Sequence, residues 1–440
     1  MEVFSLIIKT ALALLATNIY AIAALHTSGV AKVLTIIAGI IFVTVLCFIP
    51  CSSKEGGRLG RMHRGSFLMK IFLITVTADI AVNIFLAITG NGWLTVTLNS
   101  VIAFVLLALM FMVSAVRIYT SSVQIGVKWR VLGVVFAFMP VVNIMLLLRM
   151  IKLTDSEYRT ECSRLVLDRS RADERICATK YPILMVHGVF FRDMKAFSYW
   201  GRIPKALENN GAKIYYGSQQ SAASVADCAA ELKVKIDEIV KKENCGKVNI
   251  IAHSKGGLDS RYAISLLGVA DKVASLTTIN TPHRGCQFAE YLMSKTSESF
   301  KKGLAKKYNS ALKKLGDTSP DFIAAVSDLT ASACEKLNGL CKDVPGVLYQ
   351  SVGSRSVSAM GGRFPLNLSY SFVKYFDGPN DGLVSVDAMK WGDSFRFIEP
   401  PGKRGVTHAD VIDLNRENIE GFDVREFYVQ LVSDLKEKGL

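Results

Sequence analysis

Charge is scarce where the chain begins. Residues 1–150 hold 14 charged side chains, 11 basic and 3 acidic, while residues 151–440 hold the other 76. The first third is too poor in charge for a water-soluble domain, and the rest has ordinary soluble composition. No fixed-period repeat and no long low-complexity tract occur, which excludes solenoid and propeller arrays. The apolar content, 50%, excludes intrinsic disorder. No CxxC pair is present, and the nine cysteines are odd in number. That argues against a disulfide framework and against a zinc ribbon, and suits a reducing or anaerobic setting.

What is there begins with long apolar runs in a chain of 440 residues, long enough for two or three domains. Runs at 4–25, 33–50, 71–90 and 93–116 each match the ~30 Å hydrocarbon core at 1.5 Å per residue. A fifth, 131–148, is uncharged but carries Pro140 and Asn143, so it either spans with a kink or re-enters. A signal peptide over 1–25, cleaved near 21–23, is opposed by Glu2 and by the spans that follow at once. The expectation is a membrane domain over 1–150 with four or five transmembrane helices, then a basic linker over 151–178.

The net charge of +14 includes +8 in the first 150 residues. These basic residues lie between apolar runs, which suits anionic lipid head groups and not nucleic acid. Residues 51–70 carry Lys54, Arg58, Arg61, Arg64 and Lys70, and residues 117–130 carry Arg117, Lys128 and Arg130. The connections 26–32 and 91–92 hold only Lys32. Both basic loops and the N-terminus are therefore expected in the cytoplasm of a multi-pass cell-membrane protein. If the fifth run spans, the soluble domain lies outside; Arg149, Lys152 and Arg159 would then sit on the outer side, against the rule. Asp79 and Asn83, four apart on the third run, form a polar pair read first as helix–helix contact and otherwise as a functional intramembrane acid.

From residue 179 the pattern alternates. Short apolar runs at 183–186, 213–216, 248–252 and 276–279 are strand-like; 196–210, 224–242 and 257–267 are helix-like. That alternation predicts a mostly parallel sheet covered on both faces. Residues 286–345 interrupt it as a helical cap. There Phe300, Leu304, Tyr308, Leu312 and Leu315 make one apolar face, and six lysines between 301 and 314 occupy the rest. Such a helix either packs as a cap or lies on an anionic surface as a lid.

The run AHSKG (252–256) follows a strand and opens a helix, the setting of a nucleophile elbow. A turn that tight needs small residues two before and two after the serine, which Ala252 and Gly256 supply. Ser254 is the candidate nucleophile. His187-Gly188 ends the first strand, so the Val189 N–H can join the Lys255 N–H as a two-donor oxyanion hole. A base should follow the serine in the order Ser, Asp or Glu, His. His283 follows too soon after a strand to leave room for the acid, which leaves His408. Asp381 in NDGLV (380–384) is the favoured acid, with Asp377, Asp387 and Asp393 as competitors.

YPILMVHG (181–188), KVNIIAHSKGGLDSRY (247–262), LTTINTPHRG (276–285), NDGLV (380–384) and HAD (408–410) together resemble bacterial triacylglycerol lipases. The match is close over 181–292 and loose over 346–435, and does not reach the membrane third. The resemblance implies an α-helical transmembrane bundle followed by an α/β-hydrolase domain over 179–440. It implies Ser254, Asp381 and His408 as triad, Val189 and Lys255 as oxyanion donors, and ester or lipid as substrate. Two departures stand out: Ala252 where many members have glycine, and Lys255 where many have glutamine, which adds a charge near the site. Many such lipases bind a structural calcium; Asp410 matches one ligand, but no acid lies between Asp343 and Asp377 to supply the other, and no cofactor is otherwise implied. The same triad would serve a lipid acyltransferase or deacylase. A membrane sensor or transporter with a non-catalytic hydrolase-like domain would be expected to show a degraded triad.

Overall fold

The computed structural model describes residues 2–26, 28–189, 198–314, 316–399 and 402–440. The chain forms two compact units, Met1–Leu167 and Asp168–Leu440.

The first unit is helical: α1 (Glu2–Thr17), α2 (Ile19–Ala23), α3 (Gly29–Phe48), α4 (Gly57–Ile88), α5 (Trp93–Ser121), α6 (Gly126–Val135) and α7 (Pro140–Ser170). Among the described residues α3, α4 and α5 are each long and apolar enough to cross a membrane. The first apolar run is broken instead. Asn18 turns its side-chain amide to the Leu14 carbonyl (3.0 Å) and to Asp79 (2.6 Å), which competes with helix continuation. The 16 residues of α1 reach roughly 24 Å, and α2 continues after the bend.

The fifth run is broken as well. Pro140 has no N–H to give and disfavours helical geometry in the residue before it, so α6 stops and α7 starts anew. The Asn143 amide donates to the Ala137 carbonyl in the gap (2.9 Å). α7 then comes back to where α6 began. Its buried Glu157 accepts from Ser122 Oγ (2.7 Å), from the N–H groups of Val123 and Gln124, and from Arg58 (2.7 Å). Its Asp155 accepts from Ser66 (2.5 Å) and pairs with Lys70 (2.6 Å). Residues 126–157 are thus a helical hairpin that starts and ends beside both basic loops. The segment expected as a linker, 151–178, is helical to Ser170. Beyond that it is held in the second unit, where Arg171 makes a two-pronged bond to Glu426 (2.7 and 2.8 Å).

Asp79 lies inside the first unit. It accepts from Thr17 (3.0 Å), Asn18 (2.6 Å) and Asn83 (3.1 Å), and Asn99 closes the group by donating to Asn18 and Asn83.

The second unit is built on six parallel strands, β1 (Ile183–Val186), β2 (Ile214–Tyr216), β3 (Val248–His253), β4 (Val273–Ile279), β5 (Leu348–Ser354) and β6 (Ser394–Ile398), in the order β2-β1-β3-β4-β5-β6. Alternate side chains feed two cores. Ile183, Met185 and Ile251 face α8 (Ile203–Asn209) and the final helix of the chain, whose Tyr428 and Val432 are buried. Leu184, Val186 and Ile250 face α9 (Val225–Glu243) and α10 (Lys255–Leu266). The helix expected over 196–210 is shorter, and residues 196 and 197 lie outside the described residues. Ser224 caps α9 by accepting the Asp227 N–H, as its position just before the apolar pattern implies.

Between β4 and β5 stand α11 (Gln287–Lys295), α12 (Glu298–Lys314), α13 (Phe322–Ser327) and α14 (Ala331–Leu340). Of the apolar face expected on α12, only Leu312 is fully buried; Phe300 and Tyr308 are exposed, and Leu315 lies outside the described residues. Leu312 and Ala325 of α13 pack with Ala222 and Val189. After β5 comes α15 (Leu366–Asp377), and the final helix is α17 (Val424–Glu437), with the short α16 (Val386–Met389) between them.

Candidate active site

Strand β3 delivers Ser254 at its C-terminal end with φ +54° and ψ −131°, and α10 begins at the next residue. A side chain held at positive φ is strained, and the surroundings enforce it. A Cβ on Gly256 would stand 2.4 Å from the His187 carbonyl oxygen, and one on Gly188 would stand 2.8 Å from the Ser254 Cβ. Only glycine lets the β1 loop and the elbow approach this closely. Ala252 is fully buried beside Val186 in the β1–β3 pairing, so its methyl fits.

His408 is delivered by the loop after β6. Its Nδ1 lies 2.6 Å from Asp381 Oδ2, and its own N–H donates to the Asp381 carbonyl (2.9 Å). Asp381 is fully buried and accepts three further bonds: the N–H groups of Leu383 (2.9 Å) and Val384 (2.8 Å) on Oδ1, and the Asn280 amide (2.6 Å) on Oδ2. These contacts fix the carboxylate in place, with one oxygen turned to the imidazole Nδ1. The competitors are engaged elsewhere. Asp377 caps α11 by accepting the Gln287 and Phe288 N–H groups (2.8 and 3.1 Å). Asp387 pairs with Lys390 (2.8 Å), and Asp393 accepts from the Tyr349 N–H (3.1 Å).

His408 stacks obliquely on His253, ring centres 4.4 Å apart, which sets it beside the residue preceding Ser254. Among the described residues no hydrogen bond joins Ser254 Oγ to His408. Such bonds tighten when substrate arrives. Burial holds the His253 pKa well below the ordinary histidine value, with the neighbouring His408 adding to the effect, so its ring is neutral. His283 is also fully buried and neutral, stacked on Trp391 and bonded to Thr278. His187 is a loop support bonded to the Gln219 carbonyl (3.0 Å).

Lys255 differs from its sequence expectation. Its ammonium does not charge the mouth of the site but turns inward, fully buried, to Asp259 one turn along α10 (2.7 Å). Burial opposes its charge, but Asp259 and then Cys228 outweigh that and raise its pKa, while the same burial pushes the Asp259 carboxyl up to about 7. The Lys255 N–H remains at the helix start, where the dipole favours an anion.

Asp410, the residue matched to a calcium ligand, is engaged by protein donors. Its Oδ2 accepts from the Thr407 N–H (3.0 Å) and hydroxyl (2.7 Å), and its Oδ1 from Arg404 (3.0 Å). Asp377 is likewise committed, to the start of α11. Among the described residues no cluster of three or more His, Cys, Asp or Glu could hold a metal.

Two supporting residues escaped the sequence. Asn280 sits at φ +47° directly after β4, and bonds both Asp381 and Ser354. An asparagine ending a strand, one of the few residues at ease in that conformation, was the available signal. Tyr199 bonds the Gly188 N–H (2.9 Å) and His253 Nδ1 (2.6 Å); no sequence pattern marks it.

The chain is 26% identical over 269 residues to triacylglycerol lipase 2 of Saccharomyces cerevisiae, spanning 57% of this chain and 76% of that one. It is 27% identical over 288 residues to a triacylglycerol lipase of Vibrio cholerae, spanning 60% of this chain and 89% of that one. A denser match, 38% over 120 residues, covers 26% of this chain and 37% of the triacylglycerol lipase of Pseudarthrobacter phenanthrenivorans. Among solved structures, a metagenomic carboxyl esterase superposes with a TM-score of 0.45 at 16% identity, over 59% of this chain and 76% of that one. A Bacillus licheniformis lipase in its mature form superposes with a TM-score of 0.43 at 20% identity, over 58% of this chain and 92% of that one. No family model matches the chain.

Proposed function

We propose that this carboxylic ester hydrolase is a membrane-held lipase or esterase working through Ser254, His408 and Asp381. Ser254 Oγ attacks the acyl carbonyl while His408 Nε2 takes its proton. Asp381 keeps the other ring nitrogen protonated and steadies the imidazolium. The developing oxyanion is met by the N–H groups of Val189 and Lys255. His408 returns the proton to the leaving alkoxide, and water then releases the acyl group from Ser254. The observation that carries this reading is the 2.6 Å bond between His408 and a fully buried Asp381, next to a serine held at positive φ.

Lipid as substrate is supported by the surface around Asp381. Ser369 of α15 donates to the Gly382 carbonyl (2.6 Å), so α15 stands at the rim. Its Leu368, Phe372 and Tyr375 are exposed, as are Phe364 and Met360 beside it, the last at 95%. An apolar patch of this extent on a soluble unit marks an interaction surface.

The hairpin over 126–157 bears on the side of the membrane. The chain leaves the first unit at the end that carries the basic loops, and by the positive-inside rule that end is cytoplasmic. This supports a cytoplasmic hydrolase unit, against the outside placement that a spanning fifth run would give. An odd count of nine cysteines suits a reducing compartment. A C-terminal fluorescent-protein fusion should fluoresce and a C-terminal alkaline phosphatase fusion should be inactive; the opposite pair places the unit outside.

The nucleophile is tested with a fluorophosphonate probe on the full-length protein in detergent. Wild type should be labelled, and Ser254→Ala should be neither labelled nor active, its turnover lower by several orders of magnitude. Substantial turnover in Ser254→Ala removes the assignment.

A further inference from the structure

The oxyanion hole is assembled from two segments that share no covalent link nearby: the loop 187–189 after β1 and the elbow 253–255 after β3. A donor contributes fully only when it lies 2.7–3.1 Å from the developing oxyanion, so the spacing of the two segments matters more than the order within either. One side chain bridges them. The Tyr199 phenol oxygen lies 2.9 Å from the Gly188 nitrogen and 2.6 Å from His253 Nδ1. A Cβ placed on Gly188 would be 2.8 Å from both Tyr199 Oη and the Ser254 Cβ, so the phenol reaches into the narrowest part of the site. Tyr199 is itself buried, wedged at an angle between the rings of His187, Trp200 and His253.

We propose that Tyr199 is the positioning residue of the oxyanion hole. Its oxygen clips the β1 loop to the residue preceding the nucleophile and so sets the distance between the Val189 and Lys255 amides. The clip has a second effect. By accepting the Gly188 N–H, Tyr199 ties up the amide just before Val189, so that the next amide in the loop is left to meet the oxyanion. His253 has the matching job of offering the phenol a partner from the elbow side. This assignment rests on Ser254 being the nucleophile.

The test is Tyr199→Phe in the full-length protein, read on a soluble p-nitrophenyl ester. The ring stays and only the oxygen goes. A lost clip loosens a site whose donors act mainly in the transition state, so kcat should fall about 10- to 100-fold with KM within about threefold. The inhibition constant of an alkylboronic acid, whose tetrahedral adduct places an oxygen in the hole, should weaken by a similar factor. Tyr428→Phe is the control. It removes the same oxygen from the same core, and that hydroxyl is buried with no hydrogen-bond partner among the described residues, so kcat should not change. Unchanged kcat in Tyr199→Phe, a loss confined to KM, or an equal loss in Tyr428→Phe overturns the proposal. Should Tyr199→Phe fail to fold, the link is read from the other side. His253→Gln, which can still bond the phenol, should retain turnover within a few-fold, and His253→Leu should lose it; equal loss in both overturns the proposal. Turnover surviving in Ser254→Ala would instead fail the nucleophile assignment, a separate result.

Discussion

Asp79 in the first unit and Asp381 in the second each lie buried inside a cage of donors, and the two cages differ in what they hold. Asp79 accepts from a threonine and two asparagines; Asp381 accepts from two backbone amides, an asparagine and His408. Burial and donor number are similar. The difference is one titratable partner. Amides and hydroxyls can only hold a carboxylate, so the Asp79 cluster ties α1, α4 and α5 together. An imidazole beside the carboxylate can pick up and release a proton, and it lies next to the elbow serine. A buried acid is thus a fastening or a part of a proton path according to its neighbour, not according to its depth.

The strongest attempt to break the comparison is Asp381→Asn. It should cost on the order of 10⁴ in turnover by favouring the wrong imidazole tautomer. Asp377→Asn should leave turnover within a few-fold, because that carboxylate caps α11; the reverse ranking would exchange their roles. Separating the units comes next. A protein beginning at Asp168 keeps the Arg171–Glu426 pair and both cores of the sheet, and should hydrolyse a soluble ester as the full chain does. On anionic liposomes it should lose roughly 10²-fold, the scale of a lost tether's effective concentration, and more at high salt. Equal rates on liposomes would give the first unit a role other than presenting the enzyme to lipid. The smallest effect is expected from Asp79→Asn. Soluble-ester turnover should be unchanged, and the first unit should lose about 0.6–1.7 kcal/mol of stability in detergent melts. Loss of soluble-ester turnover in that variant would join the two cages that the comparison separates.

Much of the second unit could be read in the sequence because its strands β1, β3 and β4 are apolar runs and its elbow has strict steric needs. β5 could not. Gln350, Ser351, Gly353 and Ser354 spoil the pattern, yet these polar side chains are buried and bonded, Gln350 to Thr277, Ser351 to the Trp391 carbonyl and Ser354 to the Val406 carbonyl. Chain order pointed to His408 and left four aspartates, of which the turn around Asp381 favoured that one; Tyr199 and Asn280 were not singled out, since their partners come from distant segments. In the first unit hydropathy marked the apolar runs but not where they break. The break at Asn18 depends on Asp79, 61 residues away, and the return of α7 depends on Glu157 meeting Ser122.

The cap helix α12 is held unevenly. Its C-terminal end is seated: Leu312 rests against Ala222 and Val189, and Asp317 just beyond it accepts from Ser221. Toward its other end Phe300, Lys302, Lys306 and Lys307 are exposed. The helix thus keeps its anchoring contact at Leu312 and the outlying cation of Lys302 about three turns apart. Charge at that end can be changed without touching the seat on which Val189 rests.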